Sequence, residues 1–278
     1  MRRVLMTVSV VAWILAAVFA AAGSDALAAG GLTKIEDGVY SYADVKNGAP
    51  SNSFGANAGI IIGKEGIVVV DTLISSKEAQ RFIKDIRAVS PRPFRYVVNT
   101  HSHLDHTFGN LDFRRLGAVI VSQEKCKENM EKNSETALKN AAQYGLTEND
   151  MKGTEVLYPS LTFGDRMTID LGDRKVELIY PGPSHTSGSI LVYVPDKKVL
   201  FAGDVLFTGY HPFIGDGDIE GWIKALDYIL TLDVEKIVPG HGPVSTKKDI
   251  QDMKDYLIAF DRKAKELCAQ SNDLDYIV

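Results

Sequence analysis

Cysteine is nearly absent: two residues in 278. Cys126 and Cys268 lie far apart, and neither belongs to a Cys-x-x-Cys pattern, so they read as unpaired thiols rather than a disulfide framework. A single bridge between them is the alternative. Basic runs are also lacking. The formal net charge is -5 and the pI about 5.7, with no stretch of Lys and Arg dense enough to follow a phosphate backbone, which argues against nucleic acid as a partner. Repeats, low-complexity tracts and internal linkers are missing too, so nothing divides residues 29–278. What is present is 45% hydrophobic and 24% charged residues, the balance of a globular chain long enough to bury a full core.

The first 28 residues stand apart. Arg2 and Arg3 precede an almost wholly apolar stretch from Val4 to Ala22, and Ala26-Leu27-Ala28 supplies a small-residue site before Ala29. This is the layout of a secretory signal peptide, and it implies export to the periplasm or medium. An uncleaved membrane anchor is the alternative, because the apolar stretch approaches the length of a span. Membrane association is expected only in that case.

From Gly38 onward, apolar runs alternate with turns. "VYSY", "NAGIIIG" and "GIVVVDT" read as strands, the last two joined by Gly63-Lys64-Glu65-Gly66. Residues 75–89 place Ala79, Phe82, Ile83 and Ile86 on one helical face behind Ser75. The strand "PFRYVVNT" follows, then "AVIVSQ" and a polar helical stretch over 124–144. Four more strands, "RMTIDLG", "KVELIYPG", "SILVYVP" and "KVLFAGD", are separated by short turns that suit antiparallel neighbours. A helix over 218–232, the strand "KIVPG" and an amphipathic helix over 246–268 complete the pattern. The expected class is α/β, with two sheets covered by helices on their outer faces.

The segment "HSHLDH" packs three of the six histidines and an aspartate into residues 101–106, directly after a strand. His185 and His241 also follow strands, in polar or Gly-rich loops where a rigid sheet presents side chains to one edge. In extended backbone, residues two apart face the same way, so His101 and His103 can reach one ion while a turn at Leu104 sends Asp105 and His106 elsewhere. His101, His103 and His185 make one three-ligand set, and Asp105, His106 and His241 a second. Asp204, at the end of "FAGD", is a carboxylate placed to bridge two cations. Zinc takes such ligands at about 2 Å and, in catalytic sites, keeps a position for water. Two divalent ions, two aspartates and one hydroxide would carry about +1, suited to a developing anion. For Asp204, capping of the next segment is the alternative role. His211, alone in a loop, reads as a surface residue.

"HSHLDH", His185 in "GPSHTSGS", Asp204 in "FAGD" and His241 in "PGHGP" together resemble the metallo-β-lactamase superfamily in its His-x-His-x-Asp-His form. The resemblance covers nearly all of the chain after residue 28. It implies a four-layer αββα sandwich with a two-metal site at one edge, usually two zinc ions, with iron or manganese as alternatives. It also implies that Asp71, in "VVVDT", supports the metal loop. Asp204 in the bridging position is similar to glyoxalase II-like thioesterases, lactonases and phosphodiesterases, whereas zinc β-lactamases tend to carry Cys or Ser there. The short stretch after His241 argues against a glutathione-binding helical region, and His103 argues against flavodiiron proteins.

The activity implied is hydrolysis of an ester, thioester, lactone or related bond in a small molecule by a hydroxide held between the ions, with Asp105 as the catalytic residue that orients it. A β-lactamase, a mono-iron oxidoreductase similar to persulfide dioxygenases, and an exported binding protein without turnover are the alternatives. Loops over 51–57 and 210–217 are placed to build the pocket. Tyr210, His211 and Phe213 offer an aromatic wall or a polar contact to substrate, with plain loop packing as the other reading.

Overall fold

The computed structural model describes residues 31–43 and 48–271. The signal peptide expected over 1–28 lies outside the described residues. Strands β1 (Leu32–Glu36), β2 (Val39–Ala43), β3 (Asn57–Gly63), β4 (Gly66–Val70), β5 (Phe94–Val98), β6 (Val119–Gln123) and β7 (Leu161–Phe163) form one sheet in sequence order. Its first four strands pair antiparallel and the rest parallel. Strands β8 (Arg166–Asp170), β9 (Lys175–Ile179), β10 (Leu191–Val194), β11 (Val199–Phe207) and β12 (Lys236–His241) form the second sheet, in reverse order, with only β11 and β12 parallel.

Side-chain alternation sorts the strands into layers. Ile61, Val68, Val70, Val98, Val192, Val194, Phe201 and Val238 point between the sheets. Their neighbours point outward: Ile60, Val69 and Val97 lie beneath α1 (Ser76–Val89) and the short α3 (Asn110–Arg115), through Phe82 and Phe113. Leu191, Leu200 and Ile237 lie beneath α6 (Ile219–Thr231) and α7 (Lys247–Gln270), through Trp222, Leu226 and Ile250. The result is the four-layer αββα sandwich. Phe82 is fully buried, stacks on Tyr42 at 4.5 Å and meets Phe113 edge-on; its loss to alanine would cost about 3–5 kcal/mol.

The helix starts follow capping chemistry. Ser75 accepts from the Glu78 amide at the head of α1, and Thr246 forms a capping box with Asp249 at the head of α7. Several boundaries differ from the sequence pattern. β1 and β7 are additional strands, held by pairing with β2 and β6. The polar stretch after β6 is a helix only to Lys139 (α4, Glu124–Lys139), followed by a 3-10 turn over Ala141–Tyr144 and the short helix α5 (Glu148–Met151). β4 stops at Val70 because Asp71 and Leu73 adopt left-handed backbone, with φ of 59° and 67°. Cys126 and Cys268 are both free, the first buried and the second exposed; burial pushes the Cys126 thiol up to about 12. Among the described residues no helix is long and apolar enough to cross a membrane.

Candidate metal centre

The histidine cluster lies where β5 runs out. Asn99 and Asn110 exchange side-chain amide hydrogen bonds in a fully buried pair, and Thr72 Oγ1 also donates to Asn110. This fixes the backbone from which residues 100–107 depart. His101 and His103 lie in non-helical backbone. The expected turn at Leu104 is the start of a short helix, α2 (Leu104–Thr107), with His103 at its N-cap position. Asp105 and His106 therefore project from a helical turn, which brings the His106 ring to 4.3 Å from that of His101.

The structure brings all seven candidate ligands together at the edge of the sandwich. They fall into two groups, His101, His103, His185 and Asp204 in one, and Asp105, His106 and His241 in the other. Asp204 reaches both. Its Oδ2 is 3.3 Å from His185 Nε2, 3.7 Å from His101 Nε2 and 3.5 Å from His241 Nε2, and its Oδ1 is 3.1 Å from His106 Nε2. Asp105 Oδ2 lies 3.4 Å from His241 Nε2 and 3.6 Å from His106 Nε2. Asp204 projects from β11 towards Gly240 of β12, and a Cβ on Gly240 would overlap Asp204 Oδ1. Glycine there makes the space the carboxylate occupies.

Four of the five histidines are held from behind through their other ring nitrogen. His101 Nδ1 donates to Thr100 Oγ1 (3.1 Å), whose own hydroxyl donates to Asp71. His106 Nδ1 bonds to Asp71 Oδ2 at 2.8 Å, and His241 Nδ1 lies 3.3 Å from the Phe54 carbonyl. His103 is turned the other way, with Nε2 on Asp216 at 2.9 Å and Nδ1 facing His185 Nε2 at 3.0 Å. Only the His185 Nδ1 has no partner. Histidines that hold a metal have this arrangement, one nitrogen anchored and the other presenting a lone pair.

The inward atoms supply the test of fit. His101 Nε2, His106 Nε2 and Asp204 Oδ1 are buried and make no hydrogen bond, which costs about 1–3 kcal/mol per group unless a ligand satisfies them. Converging imidazole nitrogens and carboxylate oxygens without hydrogen-bond partners fit divalent cations of the zinc type, once His106 has given up its proton. Electrostatics separate the two groups. Burial holds His101 well below the usual histidine range and His185 at about 3, with Asp204 only partly opposing it. Burial works the same way on His106 and His241, but Asp204 and Asp105 outweigh it, carrying His106 well above the usual range and His241 to about 9.

Tyr210 and His211 both line the cavity beside Asp105 and His241, of ≈ 390 Å³. Tyr210 places its ring 5.8 Å from that of His241. Both ring nitrogens of His211 are engaged within the chain, Nδ1 with the Pro212 carbonyl and Nε2 with the Tyr256 hydroxyl at 2.6 Å. Residues 51–57 contribute Phe54, in left-handed backbone with φ of 52°. Asp216 and Phe207 escaped the sequence pattern. Phe207 stacks flat on His241 at 5.0 Å, and its only sequence signal is a position three residues beyond Asp204 on the same strand.

Comparison with known proteins agrees with this geometry. The sequence is 29% identical over 183 residues to the 2,4-dinitroanisole O-demethylase subunit alpha of Nocardioides sp., covering 65% of this chain but only 51% of that protein. It is 24% identical over 239 residues to a type 2 metallo-beta-lactamase of Elizabethkingia meningoseptica, covering 84% and 87%. It is 26% identical over 212 residues to the acyl-coenzyme A thioesterase MBLAC2 of Bos taurus, covering 67% and 72%. The metallo-beta-lactamase from Pontibacter korlensis superposes with a TM-score of 0.68 at 23% identity, over 82% of this chain and 98% of that one. The sequence model of the metallo-beta-lactamase superfamily matches residues 52–241, the span that carries every candidate ligand, and the chain belongs to that superfamily.

Proposed function

We propose that the protein is a binuclear metallohydrolase, with His101, His103 and His185 around one divalent cation, Asp105, His106 and His241 around the other, and Asp204 shared between them. The observation that carries this is Asp204, whose two oxygens lie within 3.1–3.7 Å of histidines from both groups. Zinc is the metal proposed, and a location outside the cytoplasm is proposed from the leader-like pattern of residues 1–28. Divalent cations bound there would polarise a carbonyl or phosphoryl oxygen and bring the pKa of water down to about 7.

The chain's own residues supply the rest. Asp105, on the floor of the cavity, is placed to accept a hydrogen bond from the attacking water and fix its direction while also contributing a metal ligand. Asp71, 2.8 Å from His106 Nδ1 and 2.7 Å from the Thr100 amide, holds the loop that carries four ligands. Phe207 keeps the His241 ring in plane. Phe54, Tyr210 and Phe213 line the cavity and give it an aromatic wall for the substrate.

An ester, thioester or lactone is the substrate class proposed, because a carboxylate occupies the shared position. The named thioesterase relative favours the same class; the lactamase relative favours β-lactams as the second reading. Metal analysis of the purified protein, followed by esters, thioesters, lactones and β-lactams assayed side by side, tests both. Two divalent ions per chain with turnover of an ester, thioester or lactone are expected. One iron per chain with oxygen uptake would overturn the hydrolase reading, and turnover of β-lactams alone would replace the substrate class.

A further inference from the structure

The centre lies beside two cavities that differ in character, one mainly apolar and one lined by polar and apolar side chains together. The first, over Asp105, Asp204 and His241, is walled by Phe54, Leu104, Phe207, Tyr210 and Phe213. The second, of ≈ 540 Å³, starts at His103 and runs along one face of α4. His103, Leu104, Tyr144 and Asp216 border both, so a molecule crossing from one to the other passes over the metal ligands.

The lining of the second cavity follows from helical spacing. Asn129, Lys132, Asn133, Thr136 and Asn140 recur every three or four residues, which puts them on one side of α4 and its end. Asn129 is tied to the opposite wall, donating to Ser187 Oγ at 3.0 Å. The side chains of Lys132, Asn133, Thr136 and Asn140 make no hydrogen bond or ion pair with the rest of the described chain. The one acidic group on this cavity, Asp216, is engaged with His103. A row of free amide, hydroxyl and ammonium groups thus lines a cavity that His103 also borders, next to the aromatic one.

We infer that the α4 groove receives a polar, hydrogen-bonding half of the substrate while the aromatic cavity receives an apolar half, so that the substrate is amphipathic about its reacting bond. The inference rests on the hydrolase reading above and adds the two subsites to it. Lys132 and Asn133 are specificity residues that do not touch the reacting atoms. Both are exposed on the helix surface, so their substitution leaves the core intact.

The test compares the metal-loaded protein with a Lys132→Met, Asn133→Leu double variant on three esters. These are the hexanoyl ester of N-acetylethanolamine, the hexyl ester of N-acetylglycine, and ethyl hexanoate, which has no polar half. The wild type is expected to favour one of the two mixed esters over ethyl hexanoate by about tenfold in kcat/KM, the effect of one or two hydrogen bonds. The variant should abolish that preference through KM and leave ethyl hexanoate unchanged. A preference that survives the double substitution, or none in the wild type, would overturn the inference. Binding of the hexyl ether of N-acetylethanolamine, which cannot be hydrolysed, separates the two readings. Weaker binding of this ether to the variant upholds the groove even if no ester is turned over, and equal binding to both proteins refutes it.

Discussion

Among the described residues, His101, His103 and His185 have only Asp204 and the exposed Asp216 at ion-pair distance, whereas His106 meets Asp71, Asp105 and Asp204, and His241 meets Asp105 and Asp204. The same burial therefore has opposite outcomes. In the first group it wins, and His101 and His185 are neutral lone-pair donors at any ordinary pH. In the second the carboxylates win, and without a cation the imidazoles hold protons that balance the acids. One half is ready for a metal as folded; the other must first release protons. Asp204 lies beside histidines of both groups, so it would couple two bound cations.

The comparison breaks most completely at Asp204. Replacing it with alanine is expected to lower turnover by at least a thousandfold and to reduce bound metal below two ions, as measured by elemental analysis. Asp105→Asn comes next: turnover should fall about a hundredfold or more with the melting temperature of the metal-loaded protein nearly unchanged. Full activity in that variant would remove Asp105 from the mechanism.

The outer supports sharpen the contrast by striking one half each. Asp216→Asn, at an exposed position, should weaken the first ion's affinity about 10- to 100-fold in a competitive chelator titration and leave denaturant unfolding unchanged. Asp71→Asn should weaken the second ion and also destabilise the fold by about 1–3 kcal/mol, because an amide would face the donors Thr100 N, Thr100 Oγ1 and His106 Nδ1. Equal effects of the two variants on unfolding would contradict the assignment of supports.

Smallest is the effect of pH on the unmodified protein. Lowering pH from 9 towards 6.5 protonates His241, whose pKa is raised to about 9, and protons compete with the metal. Affinity for the second ion should fall about tenfold per unit for each proton taken up, while the first, whose His185 titrates at about 3, changes far less. Two identical pH profiles would show that the halves do not differ as described.

Much of this was legible in the sequence because it depends on local rules. Strand alternation separates Ile60 from Ile61 and Val69 from Val68 into two core layers, and the same rule puts His101 and His103 on one side. The caps at Ser75, Asp218 and Thr246 mark three helix starts. The unread parts depend on partners distant in sequence. β7 has three residues and exists because β6 offers it an edge. Asp216 is more than a hundred residues from the histidine it orients. The left-handed turn at Asp71 is set by the hydrogen bonds that converge on its carboxylate, and the α4 groove exists only once the loop carrying Ser187 packs across the helix.

Asp204 is proposed to couple a pair of cations. Replacing the native metal with cobalt(II) and recording the electron paramagnetic resonance spectrum as the metal is titrated tests it directly. The signal of the first equivalent is expected to be attenuated by spin coupling as the second binds, and Asp204→Ala to retain two uncoupled signals or only one ion. Saturation at a single uncoupled ion in the unmodified protein would contradict it.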